Sequence, residues 1–105
     1  MDLNADLGEF STTDELDLEL NLLGIVTSCN IACGGHIGDE TSISKIISAA
    51  KELDVAVGPH PSYPDIEGFG RRSIDISKND LKESLSSQIT EFLDVAKKHD
   101  ATVRH

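Results

Sequence analysis

The stretch "IVTSCNIACGGHIGD", residues 25–39, decides the fold class of this chain. Its first nine residues are β-branched, small or apolar and lie between Gly24 and Gly34, which is typical of a buried strand. The glycines that follow predict a tight turn, and Asp39 stands where a helix would begin. The stretch therefore predicts a strand, a turn and a helix in that order.

The same alternation continues on both sides of this stretch. Residues 16–23 have leucine at every second position, which is strand periodicity, but they fill the slot of a crossover helix, so we predict a helix. In residues 40–53, Ile43, Ile46, Ile47, Ala50 and Leu53 mark one face of a helix. Further strands are predicted at 2–6, 55–60 and from 101 onward, and a long helix at Leu81–Ala96, after the N-cap Ser77.

The predicted order is βαβαβαβ, which indicates parallel strands, right-handed crossovers and an α/β fold. Each strand has one apolar and one small or polar face, whereas an ordinary doubly wound sheet is apolar on both. Asn4 and Asp6 share the polar face of the first strand, Asn30 lies on that of the second and His60 on that of the third. This pattern favours a β/α barrel with a site at its mouth.

Length and charge narrow the class of protein. The 105 residues suffice for one small domain, and the formal net charge of −10 argues against binding to nucleic acid or an anionic membrane surface. No apolar run is long enough to span a bilayer, and the N-terminus lacks the features of a signal peptide. Cys29 and Cys33 are expected to be reduced, buried thiols, which favours a cytoplasmic protein.

Three side chains at or just after strand ends are the candidate catalytic residues: Asp6, His36 and His60. A carboxylate with two imidazoles can act in general acid–base catalysis or bind a divalent metal, so the same three are the candidate metal ligands. Each also has a plainer interpretation, since Asp6 could be a turn residue, His60 a satisfied buried histidine and His36 an exposed loop residue.

A second group of residues is predicted to bind substrate or phosphate. The glycine-rich turn could present backbone N–H groups to an anion, although it is neither a Walker A nor a GxGxxG sequence. Asp39 could instead be only a helix N-cap, and the two arginines only a solvated pair. The group comprises Asn4, Glu9, Asn30, Gly34, Gly35, Asp39, Arg71 and Arg72.

Four motifs together resemble the LamB/YcsF family. They are "DLNADLGE" at 2–9, "TSCNIACGGHIGD" at 27–39, "VAVGPHPSYPDIEGFGRR" at 55–72 and the terminal "VRH". They stand in family order and cover nearly all of the chain, except for a poor match at residues 10–23. The resemblance implies a seven-stranded β/α barrel, similar to polysaccharide-deacetylase-like barrels.

The resemblance also implies an activity: ATP-dependent opening of 5-oxoproline to glutamate, with partner subunits B and C and with Mg²⁺ accompanying the ATP. In that reaction Asp6 or His60 would be the general base. His36 and the glycine-rich turn would hold phosphate or a substrate oxygen. Arg71 or Arg72 would pair with the substrate carboxylate or with a phosphate. Two alternatives remain: a metal-dependent amidohydrolase or deacetylase, and a non-catalytic fragment that binds a small acid or docks a partner.

Family members are more than twice this long and continue into a motif with a lysine and a histidine that is absent here. Residues 1–105 are therefore expected to form a single domain, the first half of a longer barrel. Open sheet edges are unfavourable unless something pairs with them. We accordingly expect a fragment, a truncated product or a half barrel that assembles with a copy of itself.

Overall fold

The structure, a computed structural model, describes residues 2–71 and 73–105. Strands and helices alternate along the chain, as the sequence predicts. The elements are β1 (Asn4–Leu7), α1 (Thr13–Leu23), β2 (Ser28–Ala32), α2 (Glu40–Glu52), β3 (Ala56–His60) and α3 (Lys78–Lys98).

The three strands form one parallel sheet in the order β1-β2-β3. The register places Asp6 beside Asn30, and Ala32 beside His60. Because parallel strands share a direction, their carboxyl ends, and the loops that follow them, meet at the same edge of the sheet.

The two faces of the sheet differ as the sequence predicts. Leu7, Ile31 and Val57 face the helices and are buried in one apolar cluster with side chains of α2 and α3. The opposite face presents Asn4 and Asp6, both exposed, together with residues of β2 and β3. Right-handed crossovers explain this arrangement, because they place every connecting helix on the same side of a sheet wound in one direction.

Residues 16–23 are helical, as predicted from their place in the chain rather than from their periodicity. Helix α1 begins after Thr12, whose hydroxyl accepts a hydrogen bond from Glu15 N at 3.2 Å. Ser77 caps α3 in the same way, with Asp80 N donating at 3.1 Å. The prediction for Leu53 is wrong: it is half exposed, because α2 ends at Glu52 and Leu53 is its C-cap.

A fourth strand was predicted from residue 101 onward. Within residues 101–105 the chain makes a parallel bridge between Val57 and Val103, with Arg104 N donating to Val57 O at 3.1 Å. The last five residues thus lie alongside β3 in the predicted direction, but this single bridge is shorter than a strand. Among the described residues, no helix is both long and apolar enough to cross a membrane.

Cys29 and Cys33 are free, buried thiols, as predicted. Burial raises the pKa of each from 9.0 to about 11. The thiols should therefore resist an aromatic disulfide reagent in the native chain at about pH 8 and react once the chain is denatured.

The same shift predicts a pH dependence of stability. A pKa raised by folding means that the unfolded chain loses its thiol protons first, so the free energy of unfolding should fall as the pH rises from 9.0 toward about 11. Urea unfolding across that interval measures the decline. Replacing both Cys29 and Cys33 by alanine should remove this component, and an equal decline in the double variant would contradict the prediction.

Candidate functional site

A cleft of about 240 Å³ opens at the carboxyl-terminal edge of the sheet. The loops after β1, β2 and β3 all contribute to it. The cleft thus lies where parallel β/α folds collect functional side chains. It is lined by Asp6, Glu9, His36, His60, Ser62, Phe69, Gly70 and Arg71.

The closest contact in the cleft joins Glu9 and His36. Their Oε2 and Nε2 atoms lie 2.6 Å apart, and His36 is buried. The other ring nitrogen, Nδ1, lies 2.8 Å from the hydroxyl of Ser62, which donates its own proton to Tyr63 O. Because the Ser62 hydroxyl proton is directed to Tyr63 O, the hydroxyl oxygen is left to accept from His36 Nδ1, and His36 Nε2 faces the Glu9 carboxylate.

His60 completes the inner wall of the cleft. Its ring centroid lies 4.8 Å from that of His36. Its Nδ1 atom is buried and makes no hydrogen bond with the described residues, although Glu9 Oε2 is 3.5 Å away and Asp6 Oδ1 3.8 Å away. A buried ring nitrogen that faces two carboxylates without a bond is a position suited to a ligand.

Asp6 belongs to a hydrogen-bonded network on the polar face of the sheet, the face opposite the helices. Asn30 Nδ2 donates to Asp6 Oδ1 at 3.0 Å and to Asn4 Oδ1 at 2.8 Å. Asn4 in turn donates to Ser28 Oγ at 2.7 Å. Since the Asp6 side chain is half exposed, it combines one oxygen held by Asn30 with access to the cleft.

The loop after β3 covers the cleft. Phe69 packs edge-on against His36, with ring centroids 4.8 Å apart, and its backbone adopts a positive φ of 56°. The guanidinium of Arg71 lies 5.8 Å from the Phe69 ring centre, which keeps a positive charge at the cleft. Arg72, the other predicted anion-binding residue, lies outside the described residues.

Helix α3 anchors this loop through Gln88, which is buried. Its Oε1 accepts from Ser62 N at 3.0 Å, and its Nε2 donates to Ser62 O at 2.8 Å. Both backbone groups of Ser62 are thus fixed by one side chain, and Ser62 in turn orients His36.

Three of these groups could hold a metal ion. Ligand atoms of Glu9, His36 and His60 all lie within 4.8 Å of one another. Two imidazoles and one carboxylate form a donor set typical of zinc sites, whereas Mg²⁺ prefers oxygen ligands. The buried, unbonded His60 Nδ1 fits such an ion, and Ser62 fixes the tautomer that leaves His36 Nε2 facing inward. The carboxylate of this donor set belongs to Glu9, whereas Asp6 was the metal ligand expected from the sequence.

Gly34, Gly35 and Gly38 of the glycine-rich turn meet requirements of the fold itself. Gly34 N donates to Ile37 O at 2.9 Å, so this N–H is already used. A Cβ on Gly35 would lie 2.6 Å from Gln88 Oε1, and Gly38 has a positive φ of 100°. The close approach that these glycines permit is therefore to the protein itself.

Asp39 likewise acts as a helix cap. Its carboxylate accepts from Ser42 N at 2.8 Å, and Ser42 Oγ accepts from Asp39 N at 2.8 Å, forming a capping box at the start of α2. The sequence left open whether Asp39 caps a helix or binds a ligand, and the structure shows that it caps α2. Asp39 lies outside the set of residues that line the cleft.

Sequence reasoning missed Ser62, Phe69 and His105. His105 Nε2 lies 2.8 Å from Asn30 Oδ1, and its ring packs over Gly58. The absence of a side chain at Gly58, on the polar face of β3, was a usable signal that something approaches there. Ser62 and Phe69 gave no such signal, because their roles depend on how an aperiodic loop folds back.

Fold and site together are those of a parallel α/β protein whose candidate site lies at the carboxyl ends of its strands. The chain belongs to the LamB/YcsF family, whose family model matches residues 1–105. It is 40% identical over 105 residues to a protein of Thermococcus sibiricus and 42% identical to one of Acinetobacter baumannii, each named as the A subunit of 5-oxoprolinase. The chain is covered completely in both comparisons but spans only 41% of the length of either relative.

A solved structure also resembles this chain in fold and in sequence. The chain resembles the "Lactam Utilization Protein" of Thermus thermophilus with a TM-score of 0.85 and 34% sequence identity. The match covers 100% of this chain and 42% of the Thermus thermophilus chain. The α/β architecture predicted from the sequence is confirmed.

The capping role of Asp39 predicts a specific pattern of stabilities. Asp39→Ala should lower the free energy of unfolding by about 1 kcal/mol, whereas Asp39→Asn should change it by only a few tenths, because asparagine is an equally good N-cap. Urea unfolding of the two variants measures the difference. Equal stability of the alanine variant and the wild type would contradict the capping role.

Proposed function

We propose that this chain provides part of the active site of a 5-oxoprolinase, the enzyme that hydrolyses the lactam of 5-oxoproline to glutamate. The names of the relatives and of the structural neighbour support this activity. The observation that carries it is the convergence of Asp6, His60 and Arg71 on one small cleft. Lactam hydrolysis needs a proton acceptor for water and a group to bind the substrate carboxylate, and the cleft contains both kinds of group.

The proposed roles follow from position. Asp6 is the general base: Asn30 holds one of its oxygens, and the half-exposed carboxylate can accept a proton from water. His60 lies beside it, with Nδ1 3.8 Å from Asp6 Oδ1. Arg71, held near Phe69, pairs with the carboxylate of 5-oxoproline.

ATP dependence and the partner subunits B and C belong to this proposal through the resemblance to the family. In the glycine-rich turn the Gly34 N–H donates to Ile37 O, so this N–H is not free for a nucleotide phosphate. We therefore assign no step with ATP or its Mg²⁺ to the residues of this chain. The relatives are named as one component of a multi-subunit enzyme, which supports assembly with other subunits. The free thiols support a cytoplasmic location.

The role of Asp6 can be tested in a chimeric protein. Residues 1–105 of this chain would replace the matching segment of the Acinetobacter baumannii relative, assayed with subunits B and C, ATP and 5-oxoproline for release of glutamate. Asp6→Asn should lower turnover by between about 10² and 10⁴-fold, because the variant has no proton acceptor at this position.

The exposed Asp17 on α1 offers a matched control, because Asp17→Asn removes the same charge from a residue outside the lining of the cleft. It should leave turnover unchanged. Near-normal turnover of the Asp6→Asn chimera would refute the assignment, and an active chimera that needs no ATP would refute ATP dependence.

A second candidate is a metal-dependent amide hydrolase. It is favoured by the donor set of Glu9, His36 and His60, whose ligand atoms lie within 4.8 Å of one another. A divalent cation bound there would polarise the carbonyl oxygen of an amide or lactam. Asp6 would then act beside the cation as the base, and Arg71 would keep its role toward an acidic substrate.

The cation hypothesis predicts binding of Zn²⁺ to the chain itself. Calorimetry should give one site per chain, and Glu9→Gln should weaken it by about tenfold or more because the variant loses an anionic ligand. Glu52→Gln, on an exposed position of α2, is the matched control. Unchanged affinity of Glu9→Gln would remove Glu9 from the site.

The reaction itself separates the candidates. Activity of the chimera that is lost to a chelator and does not need ATP would favour the metal-dependent hydrolase. Binding of 5-oxoproline without ATP hydrolysis, on addition of subunits B and C, would instead favour a chain that only captures a small acid.

A further inference from the structure

Helix α1 carries a carboxylate that reaches back to the loop after β1. Glu19 Oε1 accepts a hydrogen bond from Gly8 N at 2.7 Å, and Glu19 Oε2 accepts one from Glu9 N at 3.0 Å. One side chain thus binds two consecutive backbone amides with its two oxygens. We propose that Glu19 is a positioning residue, which sets the backbone of Glu9 so that the Glu9 carboxylate meets His36 and His60.

The loop needs such an anchor because Glu9 lies beyond the end of the sheet. Strand β1 ends at Leu7, and Gly8 turns the chain with a positive φ of 76°. A Cβ on Gly8 would lie 3.2 Å from the Ile31 side chain, so the turn lies close against β2. The bonds from Glu19 hold the two amides that follow the strand, and with them the direction in which the Glu9 side chain leaves the backbone.

The position is an unfavourable one for a carboxylate. Glu19 is partly buried, so its carboxylate has lost part of its hydration, and the amides of Gly8 and Glu9 are its hydrogen-bond donors instead. A neutral side chain would cover the neighbouring apolar surface without this desolvation penalty. A neutral aliphatic side chain cannot accept hydrogen bonds from the amides of Gly8 and Glu9. The presence of a carboxylate at this position therefore favours a role in holding the loop.

The contact that Glu19 controls is short and sensitive to position. Glu9 Oε2 lies 2.6 Å from His36 Nε2 and 3.5 Å from His60 Nδ1. A small rotation of the Glu9 backbone would move Glu9 Oε2 and so change both distances together. Groups that orient metal ligands in this way contribute about 10–100-fold to metal affinity. This inference rests on the proposed cation site, although the Glu9–His36 contact exists without an ion.

The test uses the 105-residue chain and two independent measurements. Glu19→Gln keeps the shape of the side chain but turns an NH₂ group toward one of the two backbone N–H donors, so one of the two bonds is lost. Asp17→Asn removes the same charge from an exposed position of the same helix. Zn²⁺ affinity is measured by calorimetry, and the His36 ring signals of the metal-free chain by nitrogen-15 NMR.

We expect Glu19→Gln to weaken Zn²⁺ binding by about tenfold and to change the NMR signature of the His36 Nε2 contact, with Asp17→Asn unchanged in both. Should Glu19→Gln fail to fold by circular dichroism, Glu19→Asp replaces it, since its shorter carboxylate keeps the charge but cannot reach both amides.

Two results would overturn the inference: Glu19→Gln with the affinity and His36 signals of the wild type, or an equal loss in Asp17→Asn. If the wild type itself binds no Zn²⁺, the cation site fails, while the His36 signals in the metal-free chain still decide whether Glu19 positions Glu9.

Discussion

Parallel pairing of β2 with both of its neighbours is the constraint on which the rest of this structure depends. It sets Leu7 beside Ile31 on the face that packs against the helices, and Asp6 beside Asn30 on the face that leads to the cleft. Because side chains alternate along a strand, a shift of one residue would exchange the two sets and bury a carboxylate and an amide among isoleucines. The hydrophobic core and the candidate site are therefore two consequences of one register.

The helices do more than cover the core, because their polar side chains hold the loops that form the site. Glu19 on α1 binds the amides of Gly8 and Glu9, and Gln88 on α3 binds both backbone groups of Ser62. Buried backbone groups outside regular structure need partners, and here the outer layer provides them. The positions of Glu9 and His36 consequently depend on residues from elements that do not line the cleft.

Sequence position alone was enough to bring Asp6, His36 and His60 to one place, since each follows a parallel strand and such strands end at a common edge. It did not distinguish Glu9 from Asp6 as the partner of the two imidazoles, because that choice depends on the turn at Gly8. Nor did it decide between a cap and a ligand for Asp39, or foresee that the space at Gly35 is filled by Gln88. These features depend on contacts between residues far apart in the chain.

The sequence by itself determined the order of strands and helices, the division of each strand into an apolar and a polar face, and the family. Those properties follow from local periodicity and from motifs, which need no knowledge of distant contacts. Only the tertiary structure decided which nitrogen of His36 faces Glu9, that His60 Nδ1 lacks a bonding partner among the described residues, and which helix side chains hold the site loops. The physical reason is that hydrogen bonds in loops are fixed to within tenths of an ångström by groups tens of residues away, whereas a strand is recognisable from its own side chains.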